Sequence, residues 1–483
     1  MALDLSEACM PNRRLLIASI LALALPLLLA RAGYAMTGFY VDADAEPGGD
    51  GSLESPWDDP NDLEDHAAEI TAAAETGPVV VYLDHQDSWN IEVNNWLALA
   101  SHGTSWTNGV TYDGMSWTGD AEATDQTRAC IVLNVNVNGI PEEEIDYNRG
   151  VWVQNGVAYN SGNETTYDAY VKVYGLDISG NNLTFSTAPL QTFNANHVIV
   201  ENCHLHDAGN INSPSDGIRF ITHEVGTHGL TITDLQVKDC ILDTIAAHGI
   251  AFYPTNTDNV GDILVEGCTI SNFGINYLPA AGIQVMSADS GLVRGNTIHG
   301  SHAPESGSGI KLECRHSQPT DVLIEGNTVF GLPGEETHHG IELAGAVDAT
   351  LRNNRLFDLS GCGIFIHYSM EDFGSQPSLG VNINGNTISN TADHAIGNCE
   401  SACVIASLTG NIMRMTTNTS AIYNIGTILS HGYNILYHPN AKFTAVWDNG
   451  VMASYRNIKN WESTARYTCL GALQVQPMLL LLE

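Results

Sequence analysis

The stretch SGIKLECRHS, Ser308 to Ser317, gathers Lys311, Arg315 and His316 around Glu313. The whole chain holds 18 Lys plus Arg against 55 Asp plus Glu, so cations collected at one place ask for a reason. An amine and a guanidinium beside carboxylates suit removal of a proton next to an acid group. The base takes the proton and the cations neutralise the charge that develops. Two carboxylates flanking a bond suit hydrolysis of a glycoside instead, and Glu342, in the later phrase HGIELA, is the partner this would need for Glu313. Within the stretch, Ile310, Leu312 and Cys314 alternate with Lys311, Glu313 and Arg315. On a strand that period turns the first set inward and the second outward.

The elements that would position these groups repeat. A short apolar strand, then Gly, Asn or Asp, then Cys or Asn recurs as VIVENCHLHD, LQVKDCILDT, ILVEGCTISN, GLVRGNTIHG, VLIEGNTVFG, ATLRNNRLFD and VNINGNTISN, with a weaker copy in ASLTGNIMRM. The aligned residues run from Cys203, Cys240 and Cys268 through Asn296, Asn327, Asn354 and Asn386 to Asn411, with roughly 30 residues per repeat. A second phrase interleaves: DGIRFI, HGIAFY, AGIQVM, SGIKLE, HGIELA and CGIFIH. Each unit is thus two or more short strands separated by turns, without a helical period. The repeat is too short for a propeller blade, and the Leu framework of a leucine-rich repeat is missing. Coils of stacked parallel strands account for it: an all-β, single-domain, right-handed parallel β-helix solenoid with an N-terminal cap.

Stacking predicts columns. Asn side chains in register bond to one another and to the turn backbone, with the three cysteines as small buried filler. Glu201, Lys238, Glu266, Arg294, Glu325 and Arg352 alternate in sign, a structural pairing ladder. On the strand of Lys311 the neighbouring coils supply Tyr253, Gln284, Glu342, Phe365 and His367 to one outer face. We therefore take Lys311, Arg315, Glu313 and Glu342 as catalytic candidates, and Tyr253, Gln284, His316, Phe365, His367 and Arg219 as substrate-binding ones. Glu313, Glu342 and Asp216 are the candidate oxygen donors should the chemistry use Ca²⁺. His204 and His206 in ENCHLHDAGN share a face, but the sequence shows no third metal ligand beside them. His338 and His339 read as residues beside turns, and the run HEVGTHG from His223 is suggestive of metal ligands in the same way as His204 and His206.

These features resemble the pectate lyase-like superfamily of right-handed parallel β-helices. FYVDADAEPGGDGSLESPW (Phe39 to Trp57) is similar to the opening motif of secreted members, the GNT turns to their Asn ladder, and HGYNILYHPNAKF with NIKNWES to their closing segment. The resemblance implies action on a polysaccharide. For lyases of this type it implies a Lys or Arg base with calcium on the outer strand face, so that a uronate glycan is cleaved by β-elimination around Lys311. The grouped Asp motifs of polygalacturonases are absent, although SDGI from Ser215 is a fragment of one. A hydrolase using Glu313 and Glu342, and a glycan-binding or adhesin β-helix without turnover, are the alternatives. The end departs from the pattern, with RYTCLGALQVQPMLLLLE after Trp461 where a polar close is expected.

Residues 1–35 carry paired arginines, an apolar run from Leu15 to Leu29 and small residues near Ala35, the form of a signal peptide. This leads to a secreted or periplasmic protein with no membrane span after cleavage. Residues 36–110 then form the cap and first coils, 111–440 the coils, and 441–483 the closing segment. A net charge of −37 excludes nucleic acid as a partner, because phosphate binding needs clustered Lys and Arg. A polysaccharide is the expected partner and a monomer the expected state. Nine cysteines after the leader, without a CxxC pair, point neither to a stapled domain nor to a zinc knuckle.

Overall fold

In a computed structural model, the structure describes residues 36–91, 97–119, 128–133, 150–154, 166–180, 188–209, 215–222, 229–255, 257–275, 279–303, 307–333, 338–369, 375–440 and 444–454. The proposed signal peptide and the chain after residue 454 lie outside these, as do residues 223–228 of the HEVGTHG run.

A representative coil consists of the strands Thr231–Lys238, Ile241–Ile245 and Ile250–Tyr253, and the next repeats it as Asn259–Glu266, Thr269–Phe273 and Ala280–Met286. Each strand pairs in parallel with its counterpart one coil on. Repetition builds three sheets, of 14, 12 and 13 strands, that wrap one continuous core. The fold is a parallel β-helix. Inward positions are almost all Val, Ile, Leu, Phe or Ala, and together they form a single apolar cluster along the solenoid. At its start, Phe39 stacks on Trp57 at 5.4 Å. The short helices Asp62–Asp65 and Ala67–Ala74 add Leu63, Ile70 and Ala74 to the core. At the far end, the strands Thr444–Asp448 and Val451–Ser454 pair antiparallel.

The recurring turn has a backbone cause. Between the first and second sheets one residue per coil takes the left-handed conformation, as at Asn202 (φ 55°), Asp239 (52°), Gly295 (65°), Gly326 (65°) and Asn353 (57°). Gly enters this region freely, and Asn or Asp at little cost. The following residue then points inward. From Asn296 on it is Asn, whose amide donates to the next Asn Oδ1 at 2.9–3.0 Å and to a core-strand carbonyl. Cys203, Cys240 and Cys268 occupy the same place, buried and not disulfide-bonded. The column of alternating charge is in register, with Arg294–Glu266 at 2.7 Å and Arg352–Glu325 at 2.6 Å. No helix among the described residues is long and apolar enough to cross a membrane.

Candidate active site

The second recurring phrase, X-Gly-Ile, marks six consecutive strands of the third sheet, from Ile218–Ile221 to Ile364–His367. The direction a Cβ would take at Gly249, Gly282, Gly309 or Gly340 is filled by the next coil's glycine carbonyl, 2.6–2.8 Å away. Any side chain there would force the coils apart, which explains the glycine column. Ile218, Ile250, Ile283, Ile310, Ile341 and Ile364 follow it and are buried in the core.

Three columns on the outer side follow from this register. Arg219, Ala251, Gln284, Lys311, Glu342 and Phe365 stack in one. Glu313 stands between Met286 and Ala344 in the next, and Ala344 is followed by His367. The third is the residue before each Gly-Ile: Asp216, His248, Ala281, Ser308, His339 and Cys362. Ala281, Ser308 and His339 are in register within it.

Lys311 lies at the centre. Its Nζ is 2.9 Å from Glu313 Oε1 and 3.6 Å from Glu342 Oε1. Gln284 Nε2 donates to Glu313 Oε2 at 2.6 Å. Ser308 Oγ donates to Glu342 Oε2, and His367 Nε2 stands 3.1 Å from Glu342 Oε1. Burial works to raise the Glu342 carboxyl, but the Lys311 charge and the His367 hydrogen bond hold it below the usual carboxylate range. His339 stacks on Phe365 at 4.2 Å and its Nδ1 accepts from the Cys362 N–H at 3.0 Å. Burial pushes this imidazole down to about 4, so it is neutral at physiological pH.

The expected open outer surface is corrected in one respect. Lys311 and Glu313 do leave the core on the outer side, yet they are only 6% and 9% exposed. Side chains of adjacent coils pack against one another and cover them. The ammonium is therefore held in a nearly buried ion-pair cluster. Loss of its proton would leave two close carboxylates without a counter-charge, so Lys311 suits charge stabilisation better than the role of base.

The remaining candidates lie around this cluster. The Arg315 guanidinium sits 4.0 Å from the centre of the Tyr253 ring, a cation–π contact. His316 begins the turn that follows, its N–H bonded to Ser287 Oγ at 3.1 Å, and burial together with the Arg315 charge lowers its ring pKa. Arg219 Nε donates to Asp216 Oδ2 at 2.6 Å, and the His248 N–H to Asp216 Oδ1 at 3.1 Å. Burial opposes ionisation of Asp216, but Arg219 and His248 outweigh it and lower its pKa.

This geometry bears on the three residues expected to hold calcium, and another acidic group, Asp42, Asp84 and Asp87, brings three carboxylates together near the start of the solenoid. The space shared by Glu313 and Glu342 is taken by the Lys311 ammonium, and Asp216 is engaged by Arg219 instead of facing the two glutamates. These three residues do not form a calcium cage.

Ser308, His248 and His339 were not among the expected site residues. The signal was present as the residue before each Gly-Ile, a position that reads as part of the turn but lines the site.

The family described as right handed beta helix region matches residues 226–424. No curated protein matches the chain. Among solved structures, the chain is similar to a lacto-N-biosidase from Eubacterium ramulus, with 10% identity and a TM-score of 0.46 over 85% of this chain and 69% of that one. It is also similar to the A-module of a mannuronan C-5 epimerase from Azotobacter vinelandii, with 14% identity and a TM-score of 0.40 over 90% and 96%. A mannuronic acid specific polysaccharide lyase of family 6 from human gut microbiota gives 12% identity and a TM-score of 0.44 over 92% of each chain. The chain has the right-handed parallel β-helix fold.

Proposed function

We propose that this is an exported, carbohydrate-active enzyme that cleaves a uronate-containing polysaccharide by β-elimination on the outer face of the third sheet. The observation that carries the reading is the cluster of Lys311 between Glu313 and Glu342 with His367 bonded to Glu342. Arg219 and Arg315 stand on the same face, so scarce cations gather where an anionic sugar would have to be neutralised. In the Lys311 column, Phe365 is followed by Gly397 and then by Tyr423 and Trp447, these two stacked at 4.6 Å. Such rings suit the apolar faces of sugars along an extended chain.

In this reading the Lys311 ammonium, with Arg315, stabilises the charge that grows on the sugar carboxylate as its neighbouring C–H is broken. His367 takes the proton. With its Nε2–H directed at Glu342, the other ring nitrogen is the basic atom, and the carboxylate stabilises the imidazolium that forms. The C5–H electron pair becomes the new C4–C5 double bond, the C4–O bond breaks, and the leaving oxygen takes up a proton from the imidazolium. No step passes through calcium.

Hydrolysis by Glu313 and Glu342 is the second reading, favoured by their approach to one ammonium. A general acid for hydrolysis has to hold its proton near working pH, and Glu342 is held on the opposite side of its normal range.

The test is a panel of pectate, alginate, glycosaminoglycans and neutral glycans, read by ultraviolet absorbance of unsaturated uronate and separately by reducing ends. Elimination predicts absorbance that survives calcium chelation. It should fall by about 100-fold or more in Lys311→Met, be partly retained in Lys311→Arg, and in His367→Ala be restored in part by added imidazole. Reducing ends without absorbance would transfer the assignment to hydrolysis. Silence in both assays would favour a binding protein.

A further inference from the structure

A second cluster lies on a different sheet from the proposed active site. On the strand His204–Ala208, His204 and His206 project outward on either side of buried Leu205. The third ligand that the local sequence lacks comes from the preceding coil. His204 pairs in register with Asp177, and His206 with Ser179. Asp177 Oδ1 lies 3.3 Å from His204 Nδ1 and 3.1 Å from His206 Nε2, and all three ligand atoms fall within 4.8 Å of one another. Oδ1 is cut off from solvent without a well-directed hydrogen bond. Two ring nitrogens and a carboxylate oxygen thus converge on one point.

A further carboxylate orients the set. Asp207 Oδ2 is 2.7 Å from His206 Nδ1. Asp207 takes the left-handed conformation (φ 54°), a local break in the strand's alternation. Asp207 would hold the proton on Nδ1, so that once a cation displaces the Nε2 proton its lone pair faces the point shared with Asp177. Carboxylates orient metal-binding imidazoles in this way.

We infer that Asp177, His204 and His206 bind one borderline divalent cation, Zn²⁺ in preference to Ca²⁺, with a coordination position open to solvent. Two imidazoles and one carboxylate match zinc, whereas calcium takes six to eight oxygens. The three side chains are 26–31% exposed, which leaves room for water or an exogenous ligand as the fourth donor. Because Asp177 and the histidines come from successive coils, the ion would also clamp one coil to the next.

The probe is ZnCl₂ alone, titrated calorimetrically into metal-stripped protein, with CaCl₂ as the contrast and variants compared after their melting temperatures without metal are matched to the parent. One Zn²⁺ per chain at micromolar or tighter affinity is expected, weakened at least tenfold in Asp177→Asn and in His206→Gln. Asp207→Asn removes no ligand and should weaken binding by about tenfold through the orientation of His206. Co²⁺ substitution in the unaltered protein gives a readout that does not depend on any variant folding. Visible d–d bands without a thiolate charge-transfer band support the site, and a thiolate band transfers the binding to cysteine. No zinc binding by the parent, or unchanged affinity in both ligand variants, would overturn the inference.

Discussion

At the residue scale, burial holds one imidazole neutral beside a charged cluster. His339 has an ordinary value of 6.5, and burial brings it down to about 4. An unfolded chain therefore binds a proton at this ring as pH falls through 6.5, while the folded chain declines it until about 4. Stability that is fully present above 6.5 drains away across that interval, by up to ~3 kcal/mol. Glu342 and Asp216, with lowered values, support the fold above their ordinary 4.5 and 3.8 and fail only at still lower pH. Asp87 works the other way. Burial raises it to about 6, so it favours the fold as pH falls through that value, and it does so equally in any His339 variant. His339→Asn keeps an acceptor for the Cys362 N–H without titrating. Its melting temperature should fall less than the parent's between pH 7 and 4.5, and parallel slopes would remove His339 from the account. Lys311, Glu313, Glu342 and His367 were legible as a group because strand alternation and the repeat place them in adjacent columns. Their burial was not, because it depends on how the side chains of neighbouring coils lie against one another.

At the element scale, the turn between the first and second sheets is tied from coil to coil by its Asn ladder. Asn354 donates to Ile324 O and Asn386 Oδ1 and accepts both the backbone and side-chain N–H of Asn327, all at 2.9–3.0 Å. Asn354→Ala would remove these four buried hydrogen bonds and take the acceptor from the Asn327 backbone N–H, at roughly 1 kcal/mol each, about 4 kcal/mol together. Cys240 occupies the equivalent place with only weak thiol contacts to carbonyls at 3.3 and 3.7 Å. Cys240→Ala should cost about 1 kcal/mol, mainly lost packing. Denaturant midpoints and hydrogen exchange of the flanking turns would report the difference, and an equal loss at both positions would count against the ladder. The sequence pattern shows this ladder as far as Asn411. The structure carries it one coil further, to Asn434, which receives the Asn411 N–H only 23 residues on. The shortened spacing and the missing Gly-Asn-Thr signature hid that rung. His204 and His206 illustrate the same limit, since their third partner sits in another coil and only the register reveals it.

At the scale of the whole molecule, short-range pairing and long-range repulsion oppose each other. A solenoid is held by nearest-neighbour contacts, and its exposed ion pairs are individually weak. Against them stands a formal net charge of −37 distributed along one elongated body. The candidate site is an exception, since Arg219, Lys311 and Arg315 there face Asp216, Glu313 and Glu342, a locally balanced patch on an acidic surface. Salt separates these contributions. Added NaCl screens repulsion between charges more than a Debye length apart, about 10 Å at 0.1 M, and hardly touches the buried Lys311 cluster. The melting temperature should therefore rise between low salt and about 0.5 M NaCl. The same screening should raise kcat/KM for an anionic polysaccharide, whose approach is opposed by the acidic surface, and leave a neutral glycan unaffected. A melting temperature that falls with salt would mean that the paired columns, and not the net charge, dominate the electrostatics of the fold. Rate constants on a uronate chain that fall as salt rises would mean that the site's cations steer the substrate from a distance, overriding the charge of the rest of the molecule.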